Sequence, residues 1–217
     1  NEAAIDIVMN PAKNHLILDT LNSWTLNPLM RTLNHVHYTF RKRISHTADS
    51  QNQRHRMTPA SKIMLSKTHT ENPDYIMPSI IAKNVKACEI YMQTMHMLWD
   101  AKNKLIALGV KPEFAVYLLP NAVSIRMTES GSLLHFMHKW RMRTCFNAQM
   151  EIYDASMDEL TQVRNIHPNL TKYIGPPCLT RHFGGIKGNG REGPCPEGVR
   201  WCGISVWLGF PKVRRPF

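Results

Sequence analysis

One stretch constrains the fold more than any other. Between residues 79 and 108, apolar side chains recur at the three- and four-residue steps of an amphipathic helix: Ile80, Ile81, Val85, Ile90, Met92, Met95, Leu98, Trp99, Leu105 and Leu108. A helix of that length needs a second layer, because its apolar stripe has to be covered. Gly109 follows where a left-handed C-terminal cap forms, so the helix is expected to stop there. Met92, Met95 and Met97 read as core filler in this setting rather than as a soft binding surface.

The flanking segments are less regular. Residues 1–20 suggest a short extended opening, and a helix is expected from about Asn27 to Ile44, with Pro28 in its first turn, where a missing N–H costs nothing. Residues 45–56 contain no apolar residue larger than alanine, which suits the lining of a site better than a core. Pro59, Pro73 and Pro78 punctuate a loop region. Residues 113–125 look like a strand broken by Pro120, and 126–143 and 145–164 like helices stopped by His167 and Pro168. From Gly175 the texture changes to Gly, Pro and Cys, that of a tail needing a staple. With 217 residues, 43% of them hydrophobic, the chain can bury one core. The expected organisation is one domain over residues 1–174, with residues 175–217 as a basic tail packed on it.

Lys and Arg number 27 against 16 Asp and Glu, a formal charge of +11. That excess favours polyanionic surroundings such as RNA, an anionic membrane surface or phosphorylated ligands, although many proteins carry it as a solvated face. Arg41, Lys42 and Arg43 cluster near the start, and Lys212 to Phe217 form a basic end with little to pack. No run approaches the roughly 18 to 20 apolar residues of a membrane span, so the chain reads as soluble. It opens on Asn1 without a leader, as a mitochondrial matrix protein would after removal of a targeting segment; a cytoplasmic location is the alternative.

Three constellations are able to carry chemistry. Arg54, His55 and Arg56, preceded by Gln51, present two guanidinium forks around an imidazole, a cradle for phosphate; such a triplet in a basic chain also occurs as plain surface. Arg141, Arg143, Asn147, Gln149 and Glu151 form the second, with Arg143 and Asn147 four apart and so on one helical face. The competing reading is an ordinary amphipathic helix burying Met142, Phe146, Met150 and Tyr153. The third is Cys145, Cys178, Cys195 and Cys202: a four-thiolate zinc site, two disulfides or free thiols all fit, since paired CxxC knuckles are missing. Cys88 stands apart as a small buried residue, and His135 and His138, three apart, lack a third ligand.

Read in order, these pieces resemble the flavin-dependent thymidylate synthases. Gln51 stands three residues ahead of Arg54-His55-Arg56. Leu119-Pro120, Ser132-Leu133, and Arg143 followed by Ala148-Gln149-Met150-Glu151-Ile152 come next. Some members also end with the patterns at Gly175 to Cys178, Cys195 to Gly198, and Cys202-Gly203. The resemblance spans roughly residues 30 to 207.

It implies an α/β fold with a mainly antiparallel sheet and long helices, homo-oligomeric assembly, and transfer of a methylene from methylenetetrahydrofolate to dUMP, giving dTMP, with FAD reduced by NADPH. It further implies that Arg54, His55 and Arg56 line the flavin, that Gln51, Arg141 and Gln149 meet the nucleotide, and that Arg143 faces the pyrimidine carbonyl as the catalytic cation.

The chain departs from the family pattern between Pro59 and Ser66, where Lys62 replaces an acid, at Val116, where an Arg is expected, and at Glu129-Ser130-Gly131, in place of Asn-x-Arg. Each lost charged contact removes roughly 1.5 to 3 kcal/mol. These departures keep a second function open: a non-catalytic relative serving as a basic structural subunit of an organellar assembly such as a mitochondrial ribosome or respiratory complex.

Overall fold

The computed structural model describes residues 2–19, 21–188 and 190–216, and within a short helix it leaves the side chain of Thr68 undescribed. Asn1 and Phe217, the two ends noted in the sequence, lie outside the described residues. In chain order the elements are α1 (Glu2–Met9), α2 (Pro28–Arg31), β1 (His37–Ser45), α3 (His46–Asn52), β2 (Ala60–Lys62), α4 (Leu65–Thr68), α5 (Ser79–Ala82) and α6 (Val85–Ala107). They continue with α7 (Pro112–Ala115), β3 (Ser124–Ser132), α8 (Leu133–Arg143), α9 (Met150–Ile166), α10 (Pro168–Thr171), α11 (Pro177–Phe183) and α12 (Val206–Gly209). This is the α/β class expected: β1, β3 and β2 form a three-stranded sheet in that order, and β2 runs antiparallel to β3 with Ser61 opposite Thr128.

Local expectations fared unevenly. The 79–108 helix is present with one break, since α5 ends at Ala82 and Asn84 caps α6 by accepting the Ala87 N–H at 3.0 Å. Gly109 adopts φ +86° behind it, as expected. The helix drawn over 27–44 stops at Arg31, and residues 37–45 are a strand whose exposed and half-buried residues alternate. Alternation between two faces is the period of a sheet, and it outweighs the helix start offered by Pro28. The strand expected at 113–125 is instead α7 and a 3-10 turn at Val116–Leu118, started by Pro112. The strand lies further on, at 124–132, where a helix had been expected; helix resumes where Ser132 caps α8. The opening segment is likewise helical, with Met9 buried.

The chain divides into two compact units. One comprises residues 40–54 and 60–129. Its apolar centre is Met95, Trp99 and Val123, covered by Leu65, Tyr75, Tyr91, Leu119 and Ala122. Tyr75 meets Tyr91 edge-on at 5.7 Å between ring centres. Lys102 is fully buried there, its ammonium donating to the Thr70 carbonyl at 2.6 Å, and burial holds its pKa below the ordinary lysine value.

The other unit comprises residues 1–39, 55–59 and 130–217. Leu133, Leu134, Phe136, Met137 and Trp140 of α8 are buried, as are Ile152, Leu160 and Val163 of α9. Phe136 stacks on Trp140 at 5.2 Å, and the Tyr38 ring lies 6.4 Å from Trp140. A buried ion pair crosses this core: Lys139 donates to both Glu159 oxygens at 2.9 and 3.0 Å, and Trp140 Nε1 donates to Oε2 at 2.8 Å. The basic end is better packed than expected, because Val213 joins an apolar cluster with Tyr153 and Phe146, and the Arg215 guanidinium sits 5.6 Å from the Tyr153 ring centre.

Candidate functional site

The polar run after β1 folds as α3 because the Ser45 hydroxyl caps it, accepting the Ala48 N–H at 3.0 Å. Gln51 is half-buried near its end, and Arg54 and Arg56 are exposed. Neither guanidinium has a hydrogen bond or ion pair among the described residues, so both forks remain free for an anion.

His55, between them in the chain, turns inward. It is 7% exposed, its Nε2–H donates to the His135 carbonyl at 3.2 Å, and its ring lies 5.0 Å from that of His138. The spacing of His135 and His138 in the sequence gave no hint of this partner, which only the packing of α8 supplies. Burial, then the charges of Arg141, Arg143 and His135, hold the His138 imidazole below its usual pKa. Its Nδ1 is buried with no hydrogen-bond partner among the described residues, an orphaned polar atom beside the motif.

The strand-to-helix junction at β3–α8 is tied locally. Ser132 Oγ donates to Asn34 Oδ1 at 2.8 Å, and the Ser130 N–H donates to the Pro59 carbonyl at 3.1 Å. Gly131 permits a close approach: a Cβ there would stand 3.2 Å from the Thr58 side chain, tighter than most such contacts.

Arg143 is half-buried in the last turn of α8, where a cation complements the helix terminus. Gln149 caps α9, its Oε1 accepting the Ile152 N–H at 3.0 Å. Arg141 is 3% exposed, and its fork donates to the carbonyls of Ile17 at 2.6 Å and Asp19 at 3.3 Å. Burial pushes its pKa down to about 10, against the pull of Asp19.

Two departures from the family pattern are resolved internally. Lys62 pairs with the buried Asp49 of α3, so the base that replaced an acid has found an acid, and Glu129 pairs with Lys42. Arg43 and Arg126 clamp Asp74 at 2.5 and 2.7 Å. Burial pushes the Asp74 carboxyl up, but the two guanidiniums outweigh it and hold the pKa below the ordinary value. Above β1, β3 and β2 lies a groove of about 630 Å³ lined by Arg41, Lys42, Arg43, Lys62 and Arg126 among others.

The four C-terminal cysteines converge. Cys178 belongs to a buried cluster with Phe146, Ala148, Tyr153 and Val206, and Cys195 and Cys202 pack against it. All are free thiols. Among the described residues no group of three or more His, Cys, Asp or Glu is held ready as a metal-ligand set. No described helix is long and apolar enough to cross a membrane.

The family described as thymidylate synthase complementing protein matches residues 4–169. The flavin-dependent thymidylate synthase of Geobacter sulfurreducens is 28% identical over 188 residues, covering 85% of this chain and 74% of the relative. That of Sulfurisphaera tokodaii is 31% identical over 150 residues, 68% of this chain and 58% of the relative. Among solved structures, the UMP/dUMP methylase PolB from Streptomyces cacaoi, bound with 5-Br dUMP, superposes with a TM-score of 0.59 over 74% of this chain and 77% of its own, at 15% identity. That likeness speaks to the fold, and the family match covers more than half of the chain. The family match over residues 4–169, with relatives aligned over most of the chain, places this chain in the flavin-dependent thymidylate synthase family.

Proposed function

We propose that the chain binds FAD and a pyrimidine nucleotide, and that this binding serves the methylation of dUMP to dTMP. The observation that carries the reading is His55 seated against His135 and His138 of α8, the helix that also bears Arg143. Relatives named flavin-dependent thymidylate synthases and a solved dUMP methylase support it. The residues suit the cofactor: Arg54 and Arg56 offer unengaged donor forks to its phosphates, and the orphaned Nδ1 of His138 awaits a partner.

Reduced by NADPH, bound flavin supplies the hydride that completes the methyl group, the carbon coming from methylenetetrahydrofolate. Arg143 places a cation against charge developing on the pyrimidine, and Gln51 orients the nucleotide. Gln149 caps α9 through its amide oxygen and so stands at the start of that helix, beside the turn that follows Arg143. Arg141 is a positioning residue, holding residues 17–19 beneath α8.

The absorbance spectrum of the purified protein tests this directly. A flavin band is expected, with Arg56→Ala weakening FAD about tenfold, or about 1.4 kcal/mol. Arg143→Ala is expected to spare FAD and weaken dUMP. A colourless protein that takes up no flavin on soaking sinks the proposal.

A second reading, a basic subunit of a larger RNA-containing assembly, is favoured by the cationic groove and the exposed Arg41 on its wall. Retention on RNA that weakens steeply with salt supports it, and no retention at low salt removes it.

A further inference from the structure

Residues 184–205 hold together with very little regular structure. Among the described residues of this stretch only Gly198–Arg200 is helical, as a single 3-10 turn. A segment of that length inside a compact unit needs something other than a hydrogen-bonded ladder to fix it. Its glycines allow tight crossings: Gly188 has φ +70°, and a Cβ there would fall 1.6 Å from the Gly193 carbonyl oxygen.

What the segment does have is a set of ties that bring cysteines together. Asn147 Nδ2 donates to the Arg200 carbonyl at 2.7 Å, joining the turn after Cys145 to the loop before Cys202. Arg181 Nε donates to the Pro194 carbonyl at 2.8 Å, joining α11, which carries Cys178, to the residue preceding Cys195. Three of the four sulfur-bearing residues share one apolar cluster, whose member Phe146 is the neighbour of the fourth.

We propose that Cys145, Cys178, Cys195 and Cys202 bind one zinc ion as four thiolates, and that this ion clamps residues 178–202 onto the turn between α8 and α9. In binding, Zn²⁺ takes the place of four thiol protons, which are released to solvent, and four Zn–S bonds form. Without an ion, nothing draws the four sulfurs together into a tetrahedral ligand set. The four sulfurs lie close enough for each to feel the others' charge, and the Arg181 guanidinium stands near Cys195.

The ion supplies that attraction, drawing sulfurs to about 2.3 Å from itself in a tetrahedron. Cys195 and Cys202 are able to follow, being half-buried on a chain bounded by Gly193, Gly198 and Gly203, all with positive φ. The turn so clamped begins two residues after Arg143 and ends at Gln149, so the zinc is a positioning element for the proposed site.

Metal analysis of the full chain, purified under reducing conditions without chelator, tests the proposal. One zinc per chain is expected. Serine at any of the four positions is expected to lose it, whereas Cys88→Ser keeps it. Because such variants can misfold, the unmodified protein is also stripped and titrated with Co²⁺. A thiolate-to-cobalt charge-transfer band saturating at one equivalent is expected, with only Cys88 open to thiol reagents until chelator is added. Iron in place of zinc, uptake of neither zinc nor cobalt, or loss of the metal in Cys88→Ser overturns it. None of these readouts depends on flavin, so failure of the FAD proposal leaves this one standing or falling by itself.

Discussion

Lys139 and Glu159 carry opposite charges into the most water-free part of their unit, with side-chain exposures of 1% and 3%. Removing one partner strands the other, and that desolvated charge sets the cost. Lys139→Met is expected to lower stability by about 3 to 5 kcal/mol in urea unfolding. Adding Glu159→Met should restore much of the loss, because neither charge of the pair then remains buried. His138 makes a pH-dependent counterpart. Its pKa is depressed in the fold by burial first and then by Arg141, Arg143 and His135, so the unfolded chain binds the proton more readily. The stability it contributes is complete above the unfolded value of about 6.5 and is lost as pH falls through the depressed folded value. Unfolding midpoints measured from pH 8 down to 5 should therefore fall, and His138→Gln should flatten that slope.

At the scale of elements, junctions matter more than the elements' own propensities. Ser132 ends β3 and begins α8 through two bonds, one to Asn34 and one from the His135 N–H. Ser132→Ala is expected to cost about 1 kcal/mol by thermal unfolding, and more if Asn34 is left unpaired. These junctions are also where sequence reading failed. The 3.6-residue period of α6 is long enough to be unmistakable, and Gly109 marks its end. β1 and β3 are nine residues each, rich in polar and cationic side chains, and followed directly by helices. Short segments of that kind imitate an amphipathic helix when read as one run, and only their partner strands separate the two periods. The ordered motifs were legible because they depend on residue identity. The seating of His55 on His135 and His138 was not, since it depends on how α8 packs.

Taken whole, the chain keeps its family's scaffold while moving its charges. Lys62 and Glu129, the two charged residues singled out among the departures from the family pattern, are each neutralised within the chain, by Asp49 and Lys42. The +11 excess is thus carried by side chains such as Arg41, Arg54 and Arg56, which are exposed and available to a phosphate-bearing ligand. The grip of Arg141 on Ile17 and Asp19 has a practical consequence for anyone trimming this protein. Residues 2–19 look dispensable, being short helices and turns, yet they supply the oxygens that make a buried guanidinium tolerable. A shortened version starting at Asn22 is expected to aggregate or to melt at markedly lower temperature, and Arg141→Met in that version should recover part of the loss. An expression boundary drawn by eye at the first motif would cut through the fold's own solvent for its most deeply set arginine.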